Sequence, residues 1–522
     1  MLKMASWSVL LTIIILAASV AAQPEVDSSF GKLIFNNGHG GYAQDLLVQP
    51  DDKVVMVSNC PHFEDGNYPF CAVRVNVNGS YDTSFVGSGN RIPGVVRTRI
   101  PGATWTGQTH GVALQSDGKL ILVGYAVVSG SDQRLSMVRY HPNGDIDATF
   151  GTNGFVLTDV TTGLKDLGRK VAIQSDGKIV VVGYSTDDTN YVQFVARYTA
   201  AGVLDETFAT GGVFKASLPG NISDGRSIAL QADGKILAGG NINGAQTAFL
   251  LTRLNTNGSL DTSWDGDGYK IIPHTAPGMH PLSEHGFRAL AVQSDNKIIG
   301  LGNWNLLFRF NTDGSLDSTF DSDGMRPALP EPLNGEAAYD LMVTAGGRIT
   351  VVGQSQPGGN AYVFEVARYL TNGSLDTAFS GDGSLSVPII SNSGARAVSA
   401  DSMGRIVLAG ISGTGSCGQC WPFENSFFSA TRLIAPVVAV SISGRVTRPD
   451  GRPIMNAILT TQDSTGMTRN AITNPFGYYR FQNLPAGQAY TISARAKSYV
   501  FADRVAVASD DVLNFDFVGQ PE

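Results

Sequence analysis

Apolar and polar positions alternate over short distances in this chain, and no long stretch carries a helical period. The stretch "ALQSDGKLILVGY" (Ala113–Tyr125) shows the pattern well: two short apolar runs flank a polar turn, which predicts two strands joined as a hairpin. The same pattern returns as "AIQSDGKIVVVGY", "ALQADGKILAGGN" and "AVQSDNKIIGLGN". A segment spelled repeatedly is a structural unit before it is a chemical one.

Three anchors recur in fixed order. A turn of type "SDGK" places its basic residue at Lys53, Lys119, Lys178, Lys235, Lys297, Arg348 and Arg405, spaced by 51 to 66 residues. A strand then carries Arg74, Arg139, Arg197, Arg253, Arg309, Arg368 or Arg432. Eight residues further on, "D-x-x-F" or its Trp variant begins at Asp82, Asp147, Asp205, Asp261, Asp317 and Asp376. The third anchor is missing from the last unit, yet "VDSSFGKLIF" (Val26–Phe35) supplies it ahead of the first. A ring closed by the N-terminal strand explains that displacement, because closure seals the exposed sheet edge. The expected fold is all-β: a seven-bladed β-propeller over 23–434, four strands A to D per blade. In the fourth blade, Arg226–Gln231 is expected as strand A, Lys235–Gly240 as B and Phe249–Asn255 as C, with D beginning at Leu260–Trp264. The repeated arginine and aspartate flank one hairpin and are expected to pair as scaffold, with the Phe plugging the core between blades.

These units resemble the delta-60 repeats of bacterial secreted proteins, a propeller family of unknown function, on "ALQSDGKLILVG", "VRYHPNGDIDATFGTNG" and "VARYLTNGSLDTAF". The resemblance implies export and a propeller, and no reaction. After a linker at 435–440, residues 441–522 show the alternation "YTISARA" and Asp450-Gly451 and Phe476-Gly477 turns that predict a small β-sandwich. That stretch resembles the carboxypeptidase regulatory-like domain, a transthyretin-like fold, at Gly444, Val446, Gly451, Pro453, Ala457, Gly477, Tyr479, Phe481, Leu484, Gly487 and Tyr490. The resemblance implies an accessory module for folding, adhesion or spacing.

Composition adds a compartment. Lys3, the apolar run Val9–Leu16 and Val20-Ala21-Ala22 read as a secretory signal over 1–22, giving a secreted or cell-surface protein with no further membrane span. An uncleaved anchor is the alternative. A net charge of −8 without a basic stripe argues against nucleic acid as a partner. Cys60, Cys71, Cys417 and Cys420 read as two disulfides in an oxidising compartment. Pairing within each loop, Cys60–Cys71 and Cys417–Cys420, is favoured, and crossed pairing between the first and last blades stays open.

Function is expected where the blades differ. The residue five before the end of each strand A is Gln44, His110, Arg169, Arg226, Arg288, Tyr339 or Arg396. Strand A is innermost in a propeller, so these seven should ring the channel mouth and concentrate positive charge suited to carboxylate or phosphate. Salt bridges to nearby acids such as Asp45, Asp224 and Asp340, or side chains pointing out of the channel, are the competing arrangement. His274, His280, Glu284 and His285 have loosely metal-like composition, and "DGDG" (Asp265–Gly268), "DSDG" (Asp321–Gly324) and "GDG" (Gly381–Gly383) suggest calcium or simple turns. No catalytic motif is legible. The expectation is a non-enzymatic recognition or scaffold protein for an anionic extracellular ligand or a protein partner. One alternative is a hydrolase or lyase in which Arg226 and Arg288 clamp substrate and His110 transfers the proton. The other is a purely structural envelope component.

Overall fold

The computed structural model describes residues 24–521 except 36–42, 60–68, 89–91, 219–222, 243–246, 274–285, 331–337, 345, 358–360, 391, 414–425, 435–438, 464–466, 486–487, 509–511 and 513. Among the described residues every long element is a strand. Seven sheets have the order A-B-C-D of the repeat. In blade 4 these strands are Ser223–Leu230, Ile236–Ile242, Ala248–Leu254 and Tyr269–Pro273. Strands B and C are apolar on both faces: Leu250 and Leu251 are both fully buried, as are Val180 and Val181 in blade 3. Each sheet stands between two others, so neither face meets water, and the strands read as continuous apolar runs.

Strand A of each blade packs on strand A of the next, and Ser393–Ala400 of blade 7 packs on Ala43–Val48 of blade 1. The seventh sheet is completed from the other end of the chain. Glu25–Val26 and Lys32–Phe35 both pair antiparallel with strand C of blade 7, Ser426–Ile434, in the register Val26↔Leu433 and Leu33↔Ala430. Phe30 packs with Leu46, Met56 and Ala397, so it lies in the core shared by blades 1 and 7.

The three sequence anchors converge in space. Arg253 Nε lies 2.8 Å from the Asp261 carboxylate, and Lys235 Nζ reaches the same oxygen at 3.0 Å. The equivalent ion pairs recur in the other blades, including Arg74–Asp82 at 2.8 Å, Arg368–Asp376 at 2.8 Å and, across the ring closure, Arg432–Asp27 at 2.7 Å. Each arginine stacks over the aromatic residue of D-x-x-F, as Arg74 does over Phe85 at 4.4 Å. Arg74, Arg139, Arg197 and Arg253 also donate to a backbone carbonyl of the following blade, at 2.6, 2.6, 2.5 and 2.8 Å. The repeated triad therefore fastens a hairpin and joins it to its neighbour. One expectation is corrected: Leu260–Trp264 is a turn, bridged to strand C only at Leu254↔Leu260, and strand D starts at Tyr269. The Asp261 carboxylate explains the turn, since it accepts from the backbone NH and hydroxyl of Ser263 at 3.2 and 2.6 Å.

The C-terminal unit is a sandwich. Its first strand, Ala439–Thr447, begins inside the stretch read as linker and lies between Tyr478–Pro485 and Phe517–Val518. The second sheet runs in the order Thr468–Ile472, Ile458–Gln462, Gln488–Arg495, Arg504–Ala508. Val446, Ala457, Tyr479, Phe481, Leu484 and Tyr490 form its core, and Gly451 and Gly477 turn the chain at φ of 80° and 81°.

Candidate functional site

All seven strands A are irregular at one position. The A–B register shifts between Ala43 and Asp45, Thr109 and Gly111, Gly168 and Lys170, Gly225 and Ser227, Phe287 and Ala289, Ala338 and Asp340, and Ala395 and Ala397. The bulged residues are Gln44, His110, Arg169, Arg226, Arg288, Tyr339 and Arg396. A bulge leaves its residue out of the ladder and re-aims the side chain, so a common backbone device presents seven positions carrying four residue types. It also accounts for the glycine repeated in strand B. A Cβ on Gly240 would stand 1.7 Å from the carbonyl oxygen of Asp224, and one on Gly124 would stand 1.8 Å from that of Gln108.

Ring members from adjacent blades touch. Tyr339 lies under two guanidiniums, with Arg396 Cζ 3.6 Å and Arg288 Cζ 4.8 Å from its ring centre. Arg169 NH1 is 3.2 Å from His110 Nε2, and its NH2 donates to the Tyr184 hydroxyl at 2.8 Å. The same NH1 lies 3.4 Å from His110 Nδ1, so the guanidinium faces both ring nitrogens. Burial, Arg169 and Lys170 all hold the His110 pKa well below its ordinary value. Two ring members add less positive charge than a free set would: His110 is neutral, and Arg226 is paired to Asp224 at 2.7 Å, the competing salt bridge named from the sequence.

One residue deeper, the layer differs again from blade to blade: Asp45, Gly111, Lys170, Ser227, Ala289, Asp340 and Ala397. Lys170 reaches past blade 2, where Gly111 has no side chain, to the Asp45 carboxylate at 2.7 Å. Asp45 also accepts from the Val112 NH at 3.0 Å, and Asp340 accepts from the Val398 NH at 2.9 Å. Burial raises the Asp340 pKa and Asp45 adds to the rise, while Lys170 opposes it; the carboxyl titrates at about 6. Sequence reasoning missed Lys170, although its departure from the small or acidic residues at that repeat position was a readable signal.

The remaining sequence candidates do not join this site. The aspartates of the Asp-Gly turns cap backbone: Asp267 accepts from the Tyr269 NH at 2.8 Å, and Asp323 from the Met325 NH at 2.9 Å. His274, His280, Glu284, His285, Cys60, Cys417, Cys420 and the signal at 1–22 lie outside the described residues. Two depressions of about 940 and 810 Å³ open on the opposite face, between the SDGK-type turns.

The fold and this rim define a class: a propeller with a uniform scaffold and one chemically varied mouth, followed by a sandwich. Two family models match the two parts of the chain. Residues 115–150, 174–208, 231–263, 293–320 and 347–379 match the domain of unknown function (DUF5122) beta-propeller, and residues 441–519 match the carboxypeptidase regulatory-like domain. The chain carries these propeller repeats followed by that domain. The first four matched stretches each run from the glutamine that follows strand A through the triad aspartate. A crystal structure of a protein of unknown function from Dyadobacter fermentans DSM 18053 is similar at 9% identity, with a TM-score of 0.40, over 77% of this chain and 98% of that one. No curated protein matches.

Proposed function

We propose that this is an exported, non-enzymatic recognition or scaffold protein whose bulged rim engages an anionic ligand or protein partner, with the sandwich as a spacer. One observation carries the reading. Seven bulges keep one backbone geometry while their side chains vary, whereas the triads below them scarcely change. Variation confined to a rim is what selective binding needs, and arginine suits carboxylate or phosphate. His110, buried and facing Arg169, is poorly placed for the proton transfer of a hydrolase or lyase. The signal read at 1–22 supports export.

The test is thermal-shift and calorimetric screening of the full chain against polygalacturonate and polyglutamate, with dextran as the neutral control. Arg288→Ala/Arg396→Ala is the partner variant. Anion binding that weakens in this variant and with added salt supports the reading. Anion binding indifferent to both changes sinks it.

A further inference from the structure

The seam between blades 2 and 3 differs from the other six. The strand B residue after the repeated glycine, which is Ser58 in blade 1, is Tyr125 in blade 2 and Tyr184 in blade 3, but Asn59, Asn241, Asn303, Gln354 and Ile411 elsewhere. Tyr125 stacks with His110, their ring centres 5.9 Å apart, and Tyr184 meets Tyr191 at 5.5 Å. Arg169 lies between these two aromatic pairs, its Cζ 5.2 Å from the Tyr184 ring centre. Its hydrogen-bond partners, His110 and Tyr184, are both neutral, and its Nε is buried without a partner among the described residues. The adjacent cation, Lys170, is answered by Asp45, while no described carboxylate lies within ion-pairing distance of Arg169. A guanidinium with only neutral partners retains its full charge for an incoming anion. Arg169 and Tyr191 are both only partly covered, so the seam is open on the bulged face.

We propose that this seam is a carboxylate subsite, with the carboxylate seated on Arg169 and the ring that bears it lying against Tyr184 and Tyr191. The inference rests on the rim's being a binding face and names one place and one chemistry within it.

Isothermal titration of the full chain at low ionic strength, with sodium glucuronate, sodium benzoate and neutral glucose, tests it. Glucuronate or benzoate should bind at about millimolar affinity or better, and glucose about tenfold more weakly or not at all. The two acids separate a sugar ring from an aromatic one. Arg169→Gln should weaken binding about tenfold or more, and Arg169→Lys should restore only part of it. Arg452→Gln, on the sandwich surface, should leave it unchanged. Circular dichroism melts establish that each variant is folded, and a fold lost in Arg169→Gln but kept in Arg169→Lys moves the comparison to the lysine variant. Failure of both acids to bind overturns the subsite, as does binding unaffected by Arg169→Gln. If Arg288→Ala/Arg396→Ala abolishes polyanion binding while Arg169→Gln changes nothing, the rim reading stands and this subsite falls.

Discussion

Replacing Asp27 with asparagine removes one charge, with little change of shape, from the seam where the two ends of the propeller meet. That carboxylate receives Arg432 Nε at 2.8 Å, Arg405 NH1 at 3.2 Å and the Ser29 hydroxyl at 2.6 Å. Burial pushes its pKa up, but the hydrogen bonds from Ser29 and Arg432 and the charge of Arg432 outweigh it, leaving about 2 against an ordinary 3.8. A depression of that size contributes about 2 kcal/mol at neutral pH. The variant also leaves Arg432, 1% exposed, without its strongest countercharge, and breaking a buried pair costs about 3–5 kcal/mol. Asp261→Asn breaks the same triad in blade 4, so both variants should lose about 2–5 kcal/mol in denaturant melts. Only Asp27→Asn acts where residues 25–35 join 426–434. Hydrogen exchange followed by mass spectrometry should therefore show faster exchange in those two segments for Asp27→Asn and not for Asp261→Asn. Equal protection of the closing strands in both variants would refute the proposed role in closure. Unchanged denaturation midpoints would refute the triad energetics.

Three further outcomes are expected. Asp27, Asp82, Asp205 and Asp261 all titrate at about 2, so their stabilisation is complete above the unfolded value of 3.8 and is lost as pH falls through 2. The melting temperature should drop steeply below pH 4, and a flat profile between pH 4 and 2 would contradict the triads. Asp340 works in the opposite sense: its raised pKa penalises the folded state above about pH 6 and the penalty fades as pH falls towards 4. Lys170→Met should raise that pKa further, read from carbon-13 carboxyl shifts, and no movement would separate the two residues electrostatically. Gly240→Ala forces a Cβ against the Asp224 carbonyl and should lower stability by about 1–3 kcal/mol in denaturant melts; a neutral result would show that the bulge does not require glycine.

The sequence by itself determined the scaffold, because the scaffold is repeated. Each blade solves the same local problem with the same residues: a tight turn at "SDGK", a buried arginine, and an aspartate that caps its own turn. The displaced copy at Asp27 and Phe30 revealed the partner of Arg432 across some four hundred residues. Tertiary structure alone decided what the rim residues do. Strand D begins at Tyr269 rather than Leu260 because the aspartate's hydrogen bonds hold D-x-x-F as a turn. The charge of the rim depends on neighbours from other blades, which no local pattern records. Arg226 is neutralised by Asp224, two residues away, yet His110 is kept uncharged by burial and by Arg169 from the next blade, and Lys170 reaches across blade 2, which has glycine at that repeat position, to Asp45. Contacts inside one repeat are legible because they recur at fixed spacing. Contacts between different repeats are set by the closed ring, which brings residues together without any regular spacing in the chain.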